Sequence, residues 1–543
     1  MDKTIVFGAE ARDNMMKGIQ LLYDAVSVTL GPMGKNVAIR RGYTTSHITK
    51  DGVTVAIEVS SPDDIQELGI QIVREAAVKT AEKAGDGTTT ATVLAYNLVR
   101  NGMYHINAGA NSVLIKKGIE TAAAEATRYI KMISEIVEID SDDIKNIASI
   151  SANNDAEIGE MIAEIIKQIG KDASIVVDNA DSMDTHVEIV KGLRFDSGYT
   201  SPHFITNPDK MSSVMENTAV LCCGKILNDM NELVNILEYA VKNNIALTIF
   251  ADSIEGDLLS MLVLNKVKSG LKVVAVRVPG MGDARRELLH DIAIVTGATV
   301  ISPEQGLDLD QFEPKFFGKA ERIIVTKDNT TVIGGTGSQI DIDARLMQLR
   351  AQLDGTELNM HEKIGIKQRI AKLAGGVALI KVGGATEIEV KEKKDRIDDS
   401  IHAAKAAVED GIVPGGGMSY KLASDAVLDL MENTKETGSV KLGMKILADA
   451  LTSPFSMIIT NAGKHPQVIS ADINTEIARA TSQNETVSLF LGYDAKYDKV
   501  CNLKDAGVID PAKVACVAIE NAASVAGTLL TMECAISIVI PRK

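Results

Sequence analysis

The hydrophobic periodicity of this 543-residue chain changes twice, and that change restricts its possible folds more than any other feature. Toward both ends, apolar residues recur at three- and four-residue steps. Residues 8–30, 64–84, 88–108 and 112–134 read as helices, as do 417–430, 439–452, 454–463 and 511–533. The middle alternates instead. Strands are expected at Val187–Val190, Ala219–Cys222, Ala246–Ala251 and Val273–Val278, and helices at Asn231–Lys242, Gly256–Lys268 and Ala284–Thr296. That alternation indicates an α/β unit. Gly192 opens it, and the pairs Gly375-Gly376 and Gly383-Gly384 close it. The chain therefore leaves a helical region, builds an α/β middle and returns. Asn36–Arg41 and His47–Lys50 read as a hairpin, and the alternation of Ile536, Ile538 and Ile540 as a terminal strand.

Length exceeds what one hydrophobic core normally fills, so several domains are expected. The net charge of −16, from 57 basic and 73 acidic residues, argues against a nucleic-acid partner. Five cysteines without Cys-x-x-Cys spacing point to a reduced, intracellular setting, and the Cys222-Cys223 pair reads as strand packing. Met1-Asp2-Lys3-Thr4 does not open a secretory signal, and no apolar run is expected to span a membrane; the expected location is the cytoplasm. Histidines show no metal-ligand spacing.

One loop carries the clearest chemistry. Gly85-Asp86-Gly87-Thr88-Thr89-Thr90 lies between two helical patterns, ending one at Gly85 and opening the next near Thr88. A helix N-terminus presents free N–H groups and partial positive charge to an anion. Asp86 supplies a hard oxygen ligand suited to magnesium, and the threonines add hydroxyls. This reads as a phosphate–magnesium site. It is not a Walker A loop, because the chain has no Gly-x-x-x-x-Gly-Lys-Ser/Thr. A second turn, Thr29-Leu30-Gly31-Pro32-Met33-Gly34-Lys35-Asn36, follows another helical segment. Either loop alone is also readable as a helix-terminating turn.

Together the loops closely resemble those of the GroEL-type (group I) chaperonins. Further matches are Thr49-Lys50-Asp51-Gly52-Val53, Ile150-Ser151-Ala152-Asn153 and Phe195-Asp196-Ser197-Gly198-Tyr199. Lys372–Ala378, Ala406–Val413 and Gly415–Gly417 continue the series, so the resemblance runs from Phe7 to about Glu533. It implies a multidomain α and α/β chaperonin fold. A mostly helical equatorial domain would comprise 1–134 and 411–543, an intermediate domain 135–190 and 378–410, and an α/β apical domain 191–377.

The resemblance also implies an ATP-hydrolysing subunit of a homo-oligomeric ring of seven that encloses non-native client proteins, with a co-chaperonin as a further partner. Asp51 and Asp399 would be the catalytic carboxylates, the first near the γ-phosphate and the second orienting water. Asp51 is equally readable as a turn residue. Asp399 lies in a charge run beside Asp398 that also reads as a solvated helix face. ATP contacts carry over to Thr29, Leu30, Gly31, Pro32, Lys50, Asp86, Gly87, Thr88, Thr89, Thr90, Ser151, Gly416, Asp494, Ala495 and Asp510. Asp510 before Pro511 also reads as a helix N-cap. Asp86 would hold magnesium, and Thr29, Lys50 and Thr89 correspond to a potassium site. Asp494-Ala495-Lys496 departs from the family's Asn-Ala-Ala beside adenine.

Client binding carries over to Tyr199, His203, Phe204, Val234, Leu237, Leu259, Val263 and Leu264, although the same residues fit the core of an α/β layer. His203 replaces a family tyrosine. At the ring–ring contact Ser456 and His465 replace an arginine and a glutamate, and Lys464 adjoins them, so a basic patch and weakened ring pairing are expected. An alternative function is a chaperonin-shaped holdase with weak ATPase activity. A metabolic kinase with its own Gly-Asp-Gly loop is a further rival. The apparent lack of a long lid insertion argues against the archaeal and eukaryotic-cytosol chaperonin class.

Overall fold

The computed structural model describes residues 3–41, 45–170, 174–180, 182–208, 210–353, 360–483 and 487–538. They form two compact units, Met1–Glu164 with Gly384–Lys543, and Ile165–Gly383.

The first unit is helical because its apolar residues keep a 3.6-residue period over long segments. Gly8–Ser27 buries Met15, Ile19, Leu22 and Val26. Asp64–Ala84 buries Ile65, Ile70, Val73, Ala76 and Ala77, and its Asp63 cap accepts from Ile65 N and Gln66 N. Thr88–Asn107, Ser112–Ile133, Ser439–Leu451 and Ala512–Leu530 complete the packing. Ala512–Leu530 faces its neighbours with Ala515, Ala518, Ala522 and Ala526, whose short side chains permit close helix approach without aromatic filling.

Ala512–Leu530 and the stretch Ser439–Asn461 are long and apolar enough to cross a bilayer by length and composition. This corrects the sequence expectation that no run approaches that length. Their most apolar windows are 72% and 56% buried within the protein, so their hydrophobicity serves the helical core. Small β elements join the helices. Lys3–Phe7 pairs antiparallel with Cys534–Ile538, and Val37–Arg41 with Thr45–Thr49. Ile540, which the alternation placed in the terminal strand, lies outside the described residues. Ile412–Pro414 pairs with Ile509–Pro511, and Leu491–Asp494 with Lys499–Asn502.

The second unit holds a seven-stranded mixed sheet. Ser213–Leu227, Leu247–Ile254 and Val273–Arg277 are parallel neighbours joined by the helices Asn231–Lys242 and Gly256–Ser269. Right-handed crossovers in one direction put both helices on one sheet face. Gly318–Val325 pairs antiparallel with Ser213–Leu227 and with Thr330–Gly335, which in turn pairs with Gly192–Phe195. A separate three-stranded sheet sets Val377–Val382 between Ser174–Asn179 and His186–Val190. Arg345 and Arg369 meet Glu287 and the buried Asp291, so charges interior to this unit are paired.

Cys222 and Cys223 are buried in the central strand, and burial pushes the Cys223 thiol up to about 12. All five cysteines are free thiols.

Candidate functional site

Every residue assigned from the motifs to nucleotide, magnesium or hydrolysis lines one cavity of about 500 Å³ in the first unit. They reach it from distant parts of the sequence because helix ends converge there.

The Gly85–Thr90 loop forms one wall. Gly85 ends its helix at φ +73°, with its N–H bonded to Ala81 O, a left-handed cap that favours glycine. Gly87 opens the next helix at φ +80° and no side chain caps it. The N–H groups of Thr88, Thr89 and Thr90 therefore form an uncapped helix start at the cavity. A Cβ on Gly87 would stand 2.6 Å from Val514 Cγ1, so the loop also needs glycine for space. Asp86 accepts from its neighbour Gly87 N at 2.5 Å through Oδ1 and from Ser151 Oγ at 2.8 Å through Oδ2. Burial raises its pKa despite those bonds, with Asp51 adding to the rise.

Thr29 Oγ1 lies 3.4 Å from Thr89 Oγ1 and donates to Val26 O at 2.8 Å. Lys50 Nζ donates to Gly31 O at 3.0 Å, which fixes its ammonium beside the Gly31-Pro32 turn. Burial lowers the Lys50 pKa. Asp51 realises the turn reading locally: its carboxylate caps Gly52–Glu58 by accepting from Val53 N at 3.2 Å and Thr54 N at 2.9 Å. It still lines the cavity.

Asp399 comes from the long helix Glu387–Asp410. Glu392, Asp395, Arg396 and Asp399 share one face of that helix and line the cavity, whereas Asp398 does not line it. Burial pushes the Asp399 carboxyl well above the usual range, followed by the charges of Asp86, Asp51, Asp398 and Asp395. Arg396 bonds Asp155 at 3.1 Å and Glu392 at 3.0 Å, and its Nε is buried without a partner. Asp395 and Arg396 share the helix face of Asp399 by the i, i+3, i+4, i+7 spacing, a signal legible in the sequence once Asp399 is placed at the site.

The hairpin of Leu491–Asp494 and Lys499–Asn502 also reaches the cavity, through Tyr493–Tyr497. Asp494 is buried and its Oδ1 accepts from Lys496 N at 2.9 Å and Tyr497 N at 3.2 Å. The acid that replaces asparagine here holds a turn. Lys496, already part of the Asp494-Ala495-Lys496 departure, lines the cavity too, as do Tyr493 and Tyr497, which belong to no motif in the sequence. Asp510 sits in a strand, opposite Val413, and the cap of the following helix is Pro511; the N-cap reading of Asp510 is corrected. Burial, then Asp86, raise Asp510 to about 7. Gly416 adopts φ +63° in the loop that precedes Met418–Asn433.

The carboxylates of Asp51, Asp86, Asp399 and Asp510 thus share a cavity with Lys50 and Arg396. Mutual repulsion among carboxylates is relieved by a bound cation, so the donor set fits a hard divalent ion that phosphate oxygens and water complete. Among the described residues no cluster of three or more His, Cys, Asp or Glu forms a self-sufficient metal cage.

The residues expected to bind clients lie in the second unit and divide by burial. Leu264 is 43% exposed, His203 is exposed, and Tyr199, Val234, Leu259 and Val263 are half-buried. Phe204 and Leu237 are interior, at 0% and 6%. Those two join the sheet core with Leu233, Ile236 and Leu258, so their assignment to an open surface is corrected. Val267, at 68% exposed, continues the apolar edge of the helix beyond Leu264.

Lys464 lies 2.5 Å from Asp498 Oδ2. The two side chains are 44% and 57% exposed, so the contact is a solvent-facing ion pair beside His465.

Residues 22–538 match the TCP-1/cpn60 chaperonin family. The fold is also that of the chaperonin gp146 from bacteriophage EL 2 (Pseudomonas aeruginosa), solved in the presence of ATP-BeFx. The similarity has a TM-score of 0.70 at 22% identity and covers 98% of each chain. With a family match across nearly its whole length and the family's motifs gathered around one cavity, the chain belongs to the TCP-1/cpn60 chaperonins.

Proposed function

We propose that this chaperonin binds ATP with magnesium in the Asp86 cavity, hydrolyses it, and uses the cycle to hold and release non-native proteins within a ring. The observation that carries the reading is the convergence on one cavity of an uncapped helix start, Lys50, and the carboxylates of Asp86 and Asp399. ATP phosphates fit the N–H groups of Thr88–Thr90, with Asp86 holding magnesium and Thr29, Thr89 and Lys50 marking the potassium position. Bound magnesium supplies charge neutralisation on the phosphates.

Asp399 accepts a hydrogen bond from the attacking water and directs it at the terminal phosphorus. Burial and the neighbouring carboxylates favour its protonated form, and bound cations would shift it toward the carboxylate that accepts from water. Asp51 stands on the same side, held by its own helix cap. Asp494 and Ala495 flank the base, and Asp510 and Gly416 the ribose.

Client proteins are held by the apolar edge of Gly256–Ser269 around Leu264, with Leu259, Val263, Val234 and Tyr199 behind it and His203 at the rim. The domain division 1–134 with 411–543, 135–190 with 378–410, and 191–377 supplies the moving parts. A ring of seven, a co-chaperonin and a cytoplasmic location complete the reading. Nucleotide drives the switch only by its differential affinity for two domain arrangements.

Steady-state ATP hydrolysis with and without magnesium, alongside electron microscopy with and without ATP, tests this function. Magnesium-dependent turnover together with rings that change shape supports it. ATP binding without turnover would favour the holdase alternative.

A further inference from the structure

The cavity wall at its base end is a hairpin whose turn is anchored from outside the cavity. Tyr493 is only 5% exposed and packs with Met418, Phe455, Ile459, Ile469, Ile473 and Leu503. Its hydroxyl donates 2.7 Å to Asp498 Oδ1. The other oxygen of Asp498 receives Lys464 Nζ at 2.5 Å, from the turn before the helix Pro466–Ser482. Asp498 itself sits at φ +53°, a left-handed conformation that aspartate and asparagine tolerate better than other side-chain-bearing residues. Between Tyr493 and Asp498 lie Asp494, Ala495, Lys496 and Tyr497, and all four line the cavity. The turn is closed internally by Asp494 and externally by Asp498, so two carboxylates at its two ends fix its position.

We infer that Asp498 is a positioning residue for nucleotide binding: by tying Tyr493 to Lys464 it holds the Asp494–Tyr497 turn at the spacing the base requires. The inference rests on the nucleotide reading of the cavity. Asp498 does not line the cavity, so its effect passes through the turn. Of its two contacts the tyrosine bond is the stronger restraint, because it is partly buried, whereas Lys464 and Asp498 form an exposed pair of little individual worth.

The test compares ATP hydrolysis by the assembled, full-length protein carrying Asp498→Ala, Asp498→Asn, Tyr493→Phe or Lys464→Ala. Asp498→Ala and Tyr493→Phe should each raise KM for ATP about five- to tenfold, with kcat within about twofold of the unaltered protein. Asp498→Asn keeps an acceptor for the tyrosine and the same backbone preference, and should restore KM to within about twofold. Lys464→Ala should shift KM by less than about threefold. Tyr493→Phe preserves the buried ring, so it provides the answer if Asp498→Ala does not fold. Unchanged KM in Tyr493→Phe, or equal losses of kcat and KM effects that Asp498→Asn does not rescue, would overturn the positioning role. An unaltered protein that binds no ATP would overturn the nucleotide reading and this inference together; normal ATP kinetics with insensitive variants would overturn the inference alone.

Discussion

Ser151 Oγ donates a 2.8 Å hydrogen bond to Asp86 Oδ2, joining the end of the helix Asp142–Ser151 to the loop that opens Thr88–Asn107. With Gly87 N on the other oxygen, this bond fixes the direction in which the carboxylate faces the cavity. Burial alone would favour the protonated acid, which is a poor ligand for magnesium; the two donors oppose that. Ser151→Ala should therefore weaken magnesium-dependent ATP binding by about tenfold, the cost of one hydrogen bond to a charged group. Titration calorimetry with ATP, with and without magnesium, measures it. An unchanged magnesium-dependent affinity would remove Ser151 from the site.

Asp399→Ala should separate binding from turnover. The variant keeps the Thr88–Thr90 helix start and Asp86, so it should bind ATP with affinity within a few fold of the unaltered protein. Hydrolysis should fall about 10²-fold or more, the usual contribution of a positioned proton acceptor. Asp398→Ala, off the cavity-lining face, should retain turnover. Single-turnover assays distinguish the two, and the reverse pattern would transfer the role to Asp398.

Burial sorts the apolar residues of the second unit into opposite outcomes. Leu264→Glu places a charge at a half-open position and should abolish capture of an unfolded client while changing stability by less than about 1 kcal/mol. Leu237→Glu puts an unpaired carboxylate into the sheet core and should destabilise this unit by more than about 3 kcal/mol. Thermal unfolding and a light-scattering assay of client aggregation check both. Normal stability of Leu237→Glu would contradict its interior position.

Asp178 gives the second unit an acid-sensitive joint. Burial opposes its ionisation, but Arg322 at 2.6 Å and Lys381 at 2.9 Å outweigh burial and bring it down to about 2. A carboxylate depressed in the folded state stabilises above the unfolded value near 4, and loses that contribution as pH falls through the folded value. The stability difference between the unaltered protein and Asp178→Asn should thus be full at pH 7 and shrink between about pH 4 and pH 2. Denaturant midpoints across that range test the sign. A difference that grows on acidification would rule it out.

The chain's periodicity is enough to place Asn231–Lys242 and Asp64–Ala84 at their observed bounds and to locate Gly8–Ser27 and Ser439–Leu451 within a few residues. These segments are long and strongly periodic, so local pattern and tertiary environment agree. Gly318–Val325 and Thr330–Gly335 escaped notice, because their strand character depends on pairing with partners far along the chain. The glycines of the Gly85–Thr90 loop were legible for a local reason, since left-handed backbone at a helix boundary calls for glycine.

The sequence by itself thus determined the helical ends, the α/β middle and the residue types needed to bind phosphate. Tertiary structure alone decided which charges face one another. The carboxyls of Asp86, Asp399 and Asp510 are raised only because distant parts of the chain bury them together, and Lys464 meets Asp498 only because the hairpin folds against its turn. It also decided that Leu237 is core and Leu264 is surface. An apolar helix face has the same period whether it meets a sheet or solvent, so burial is fixed by what packs against it.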